Sequence, residues 1–180
     1  MRTPLVLTTF IFSLTSTAAF AQADAPQGIA EQLNIPGNVW VDARYRYEHV
    51  AQDGIAKDAN AHTLRTRLGY ETEDYAGFKL LGEVESNLTL GEENFNSGTN
   101  NRTNYPRVTD PQGAEINRLH ASYTHNDQYK ATLGRQYIEF DNARHIGISI
   151  FRQNARTYDA ARFDLLPTTS FNLATTYAYV

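Results

Sequence analysis

Successive residues of this chain alternate between two chemistries, in one segment after another. In 39–50 the odd positions are Val39, Val41, Ala43, Tyr45 and Tyr47, and the even ones include Asp42, Arg44, Arg46 and Glu48. In 63–72, Leu64, Thr66, Leu68 and Tyr70 alternate with Arg65, Arg67 and Glu71. A β-strand points neighbours to opposite faces, so each segment reads as a strand with one apolar and one charged face. Arg and Glu recur on the charged face over strands long enough to cross a bilayer, and the apolar face ends in Tyr or Phe. That pattern predicts an all-β, antiparallel transmembrane β-barrel with lipid on one side of the wall and water on the other.

The N-terminus predicts export. Met1-Arg2 is a short basic start, residues 5–14 (LVLTTFIFSL) are apolar, and Ala19-Phe20-Ala21 has the small-residue pattern of a cleavage site. We read 1–21 as a signal peptide, too short to span a membrane as a helix. After Ala21 no apolar run is long enough for a membrane helix, so any spanning structure must be built from strands. Cysteine is absent, which excludes disulfides and thiolate metal sites. Mean hydropathy is −0.50, as expected when only one face of each strand is apolar. Removing the leader takes one Arg and no acid, leaving 15 basic against 20 acidic residues, net −5. Nucleic acid is not an expected partner of such a chain.

Residues 22–38 are small and polar with two prolines and read as a periplasmic N-terminal segment, with one short helical turn near Ile29–Leu33. Seven strands are predicted in 39–180, over 39–50, 62–73, 77–88, 115–125, 129–138, 156–165 and 170–180. Their connections alternate in length: 51–61, 89–114 and 139–155 are long, whereas those around 74–76, 126–128 and 166–169 are tight. Short periplasmic turns and long outer loops are a barrel property. Outward Tyr70, Phe78, Tyr123, Tyr129 and Phe171 fall at the periplasmic ends, and Tyr45, Tyr47, Tyr137, Tyr177 and Tyr179 towards the outer ends, as two interfacial girdles require. Seven strands do not close a bacterial barrel, and the sequence stops inside a strand pattern. It is therefore expected to be the N-terminal part of a longer protein.

The strings RYRYEHV (44–50), KDANAHTLRTRLGYET (57–72) and LGRQYIEFDNARHIG (133–147), followed by RQN (152–154) and TYDAARFD (157–164), resemble the alginate-export family of porin-like outer-membrane barrels. The resemblance covers about 39–165; Phe151 stands where a Trp is expected. It implies a barrel of roughly 16–18 strands, within the range of such proteins. It also implies an exporter-type channel with an arginine-rich lumen for polar or anionic solutes, or for a polyuronate polysaccharide. Outer-membrane lipid and periplasmic export partners are the surroundings it implies.

By parity the water-facing set includes Arg44, Arg46, Arg65, Arg67, Glu83, Glu85, Arg118, His120, Lys130, Arg162 and Asp164. Arg44/Arg46 and Arg65/Arg67 fall on neighbouring strands and form one basic patch, with Glu83 and Glu85 on the next strand. Such rows either select ions by charge or stiffen the wall as a salt-bridge ladder, and the two roles are compatible. The connection 139–155 carries Asp141, Arg144, Arg152 and Gln153 beside the apolar Ile146, Ile148, Ile150 and Phe151. It is expected to fold inward and narrow the lumen; the alternative is that 146–151 extends a strand. Arg135 falls on the apolar parity, and Gly134 suggests a bulge that turns it inward, unless it snorkels outward. His120 and Ser122 share a face without a third catalytic member, so no enzyme activity is expected. The acids of 91–110 lack metal-ligand spacing and read as solvated loop, with no metal or cofactor expected. The function expected is a passive outer-membrane channel for polar or anionic solutes. A surface-exposed adhesion barrel using 89–114 for recognition is the alternative, and a secreted β-sandwich a distant third.

Overall fold

The computed structural model describes residues 7–15, 36–140, 143, 145–149, 151–165 and 175–180. They form one all-antiparallel sheet in strict chain order, β1(Leu7–Thr15), β2(Asn38–Val50), β3(Ala59–Glu71), β4(Phe78–Thr89), β5(Gly113–His125), β6(Tyr129–Gln136), β7(Tyr158–Leu165) and β8(Thr175–Tyr179). There is no helix among the described residues, and hence none long and apolar enough to cross a membrane. The sheet is open. The seven strands after β1 match the predicted ones, and β3 starts earlier, at Ala59, so the first long connection is 51–58. Two expectations, the turn near Ile29–Leu33 and the connection 166–169, lie outside the described residues, as does Phe171. The apolar run assigned to the leader forms β1, paired along the free edge of β2 from Leu7 with Val50 to Thr15 with Asp42.

The turns explain the up-and-down order. Between β3 and β4, Ala76 and Gly77 both have positive φ (52° and 87°), and Tyr75 and Phe78 exchange two backbone hydrogen bonds of 3.0 Å. This is the two-residue turn whose twist matches that of the strands it joins. Asp74 accepts from Gly77 N–H at 2.8 Å and holds it. Asn126 and Asp127 do the same between β5 and β6, with positive φ at both and Gln128 N–H donating to the His125 carbonyl at 3.0 Å. Asn and Asp tolerate this conformation better than most residues. Both tight turns are at one end of the sheet, and the long connections 51–58, 90–112 and 137–157 are at the other.

The two faces are inverted relative to an ordinary globular sheet. Arg46 is 0% exposed and Glu85 2%, whereas Leu80 is 59% exposed, Leu133 67% and Val84 51%. The exposed apolar side chains are contiguous across strands: Val41, Leu68, Val84 and Ile116 form one lateral row, and Leu80, Ala121, Leu133 and Ala161 another. At the tight-turn end this face carries aromatics, with Phe78 and Tyr123 rings 4.5 Å apart and Tyr129 stacked on Phe163 at 6.1 Å. At the other end Tyr47 lies 4.7 Å from the His62 ring.

One irregularity preserves this division. Between β4 and β5 the register passes from Glu83–Arg118 to Val84–Ile116, and Asn117 is the extra residue of a β-bulge. Strict alternation would put Ile116 on the face of Arg118. The bulge instead leaves Ile116 exposed and turns Asn117 inward to 1% exposure. Arg135 stays on the apolar face opposite Leu119, correcting the inward turn expected from Gly134, because the β5–β6 and β6–β7 ladders run without a shift. Its guanidinium grips both carboxylate oxygens of Asp159 (2.9 and 2.8 Å) and caps the Ile116 carbonyl beside the bulge at 3.2 Å. Tyr137 is also corrected. β6 ends at Gln136, alternation stops there, and Tyr137 lies half-buried on the charged side, where its hydroxyl accepts from Asn117 at 2.6 Å.

Trp40, the single tryptophan, lies flat over Gly69 on the charged face and donates its indole N–H to Glu83 at 2.7 Å. A Cβ at position 69 would collide with the indole ring. Gly69→Ala should therefore expel Trp40, red-shift the intrinsic tryptophan fluorescence and cost about 1–3 kcal/mol of stability. Unchanged emission and an unchanged unfolding midpoint would contradict this placement.

Candidate functional site: the charged face

On β2 and β3, Arg44 and Arg65 are directly opposite one another. Two like charges at this spacing are unfavourable unless anions or carbonyls surround them. Arg65 bonds Asp42, and Arg46 bonds Glu48 on its own strand. Arg46 also reaches Asp110 at 2.9 Å, with both side chains 1% exposed. Arg44 donates to the carbonyls of Phe151 (3.0 Å) and Arg152 (3.3 Å). Further along the sheet, Arg67 bonds its cross-strand partner Glu85 at 2.5 Å. Arg118 forms a fork on Glu83 at 3.0 and 2.7 Å. Glu83 is a hub that also accepts from Trp40 and Asn117. Tyr137 lies against two of these cations, 4.8 Å from the Arg118 guanidinium and 5.9 Å from that of Arg67.

The basic patch expected from sequence is thus assembled, and it is interleaved with carboxylates in contact with it. The wall-ladder arrangement is present in the bonds Arg67–Glu85 and Arg118–Glu83. The remaining sequence-derived residues of this face are further round, His120 on β5, Lys130 on β6, and Arg162 and Asp164 on β7. His120 Nδ1 is 3.1 Å from the Arg135 carbonyl, and Arg162 bonds Asp164 at 2.9 Å.

Part of the long connection 137–157 folds onto this face. Gln153 is 0% exposed; its side-chain amide donates to the carbonyls of Arg44 (3.3 Å) and Thr63 (3.2 Å) and to the Thr63 hydroxyl (2.9 Å). Arg152 reaches Glu48 at 3.4 Å, and Asn154 accepts from Asn87 at 2.6 Å. The Phe151 ring lies under the Arg46 guanidinium at 4.3 Å. The inward fold was expected, but among the described residues the contacts are made by 151–154, and not by Ile146 or Ile148. Ile146 is exposed and Ile148 half-exposed, because arginines facing inward need carbonyls and carboxylates more than methyl groups. Residues 145–149 form no strand, so the strand-extension alternative does not hold for them. Asp141, Arg144 and Ile150 lie outside the described residues.

The connection 90–112 is not the solvated loop expected. Phe95 and Val108 are 0% exposed and cluster with Val50, Ala59 and Ala61 over the loop end of the charged face. Asn96 and Arg107 pair as a short parallel bridge, and Asn60 N–H donates to the Asn94 carbonyl at 2.8 Å. This fold delivers Asp110, which accepts from Arg46 with one oxygen and from the Gln153 backbone N–H (2.9 Å) with the other. Asp110 joins two connections to one strand. Its only trace in the sequence is the spacing of Phe95, Tyr105 and Val108 in an otherwise polar stretch. Asn117 and Trp40 were also missed. The break in parity at Ile116 and the glycine opposite Trp40 were the available signals.

Two grooves of similar size, about 410 Å³ each, mark the two faces. The one on the exposed face is an apolar notch over Gly82, walled mainly by Tyr70, Leu80, Leu119 and Leu133. The other is on the charged face between β5 and β8 and is lined by Arg118, His120, Lys130, Arg162 and Asp164 among others. The convergent polar groups place the candidate site in the second. No family model, no curated protein and no solved structure matches this chain.

Asp110→Ala should leave Arg46 with one carboxylate and free the Gln153 backbone. Breaking a pair buried to this degree costs about 3–5 kcal/mol. Limited proteolysis should then cut within 145–156 sooner than in the parent protein. An unchanged cleavage rate and unfolding midpoint would show that the two connections hold independently of Asp110.

Proposed function

We propose that this chain is the N-terminal part of an outer-membrane β-barrel channel of the alginate-export type. Polar, anionic solutes or polyuronate-like chains would pass along its charged face. In this reading 1–21 is removed on export, 22–38 is periplasmic, and 39–180 supplies about seven strands of a larger barrel. The observation that carries it is the inversion of the sheet, with Arg46 and Glu85 withdrawn from solvent while Leu80, Val84 and Leu133 face outward. Contiguous apolar surface of this kind needs a cover, and a bilayer covers a whole strand face at once. The segregation of tight turns and long connections to opposite ends supports the same reading, as do the aromatic pairs at the tight-turn end. Removal of β1 would free the β2 edge for the closing strand, since closure abolishes edges. The fold of 90–112 back onto the sheet end weighs against its use as a projecting recognition loop.

The full-length protein reconstituted in a planar bilayer should show discrete conductance steps. Val84→Arg, in the middle of the apolar row, should lower barrel stability in lipid by about 2–4 kcal/mol, whereas Asp53→Arg in the exposed 51–58 connection should not. Absence of conductance, or equal tolerance of both substitutions, would contradict the channel reading.

A further inference from the structure

The charged face divides into two electrically different halves. On β2–β4 the cations Arg46, Arg65 and Arg67 each touch a carboxylate, Arg44 is bonded to the carbonyls of 151 and 152, and that segment lies over Arg44 and Arg46 while Tyr137 lies against Arg67. Little of that charge is left to act on a solute, because contact pairs cancel at a distance and the segment occupies the approach.

The half on β5–β8 differs. Its groove of about 410 Å³ is lined by strand residues and Tyr137, and no described residue of 145–155 lines it. Arg118 is engaged by Glu83 and Arg162 by Asp164, which also accepts from the Thr176 hydroxyl at 2.5 Å. Lys130 also lines the groove and forms no ion pair among the described residues, although Asp164 is its cross-strand neighbour. Asp164 is turned to Arg162 and Thr176 instead. Among the described residues the groove therefore keeps one net positive charge, on a flexible amine, and it is also lined by the hydroxyl-bearing Thr132 and Tyr137. His120 adds a second charge when protonated.

We infer that the groove around Lys130 is a binding site for a small hydroxylated carboxylate, with the Lys130 ammonium as its charge-reading group. A volume of about 410 Å³ is within the usual range of small-molecule sites, roughly 300–1,000 Å³. The ammonium supplies a charge-assisted hydrogen bond to the carboxylate, and Thr132, two residues on along the same face of β6, offers a hydroxyl to the rest of a polyol chain. The site's part in transport rests on the channel reading; binding itself requires only the groove.

The test uses gluconate as probe and glucose as neutral control on the full chain folded in detergent, by isothermal titration. The parent protein should bind gluconate and not glucose. Lys130→Gln should weaken gluconate binding about tenfold or more, the loss of one charge-assisted bond. Lys130→Arg should retain most of the affinity, and Lys57→Gln, in the exposed connection, should leave it unchanged. Unaltered Trp40 fluorescence certifies the fold of each variant. No gluconate binding by the parent, equal binding of glucose, or full affinity in Lys130→Gln would each overturn the inference. Bilayer recordings separate it from the channel reading. Lys130-dependent binding without conductance removes the channel and keeps the site. Anion-selective conductance whose block by gluconate is indifferent to Lys130→Gln keeps the channel and removes the site.

Discussion

Everything in this sheet follows from the need to neutralise a row of arginines withdrawn from water. An unpaired buried charge costs several kcal/mol, and pairing recovers that only when geometry and hydrogen bonds are good. Arg44 and Arg65 face each other across β2 and β3, so acids and carbonyls must come from nearby. Asp42 and Glu48 come from β2 itself, Glu85 and Glu83 from β4, and Asp110 and the carbonyls of 151–152 from distant connections. The ladder consequently fixes more than local geometry. A slip of one residue between β3 and β4 would move Glu85 to the apolar face and strand Arg67. The ion pairs thus specify register, and register in turn keeps Leu68, Leu80, Leu88, Leu119 and Leu133 on the opposite side.

The same need organises the connections. Gln153 and Asp110 are polar residues buried from segments with no strand structure of their own, and each answers a specific demand of β2 and β3. A segment drawn onto the charged face by carbonyls and carboxylates narrows the space in front of it without building an apolar core. Where that segment stops, on β5–β8, the face is open and carries surplus positive charge at Lys130. In the proposed reading, stability and solute contact thus fall to different parts of one surface.

Much of the architecture was legible because a period of two is a direct consequence of strand geometry. The alternation of Arg44, Arg46, Arg65 and Arg67 with Tyr and Leu placed each on the face it occupies, and Asn126-Asp127 marked a tight turn by its chemistry. Parity failed where the ladder is interrupted. Asn117 is one extra residue that no periodic count detects, and Tyr137 follows the last paired residue of β6. Arg135 shows the reverse: its charge suggested an inward turn, whereas Asp159 on the adjacent strand satisfies it in place. Asp110 and Gln153 were illegible because their partners are 43–109 residues away and no local pattern encodes such contacts.

The central claim is that the exposed apolar face meets lipid and the charged face meets water. Nitroxide labels placed one at a time from Phe78 to Leu88 on the reconstituted full-length protein test it most directly. Collision with apolar oxygen and with a water-soluble nickel chelate would be measured at each position. The account requires oxygen access to peak at Leu80, Val84 and Leu88 and to fall at Leu81, Glu83, Glu85 and Asn87, with a period of two residues. High nickel access at Leu80, Val84 and Leu88, with no oxygen preference, would mean that the apolar face looks at water, and would contradict it.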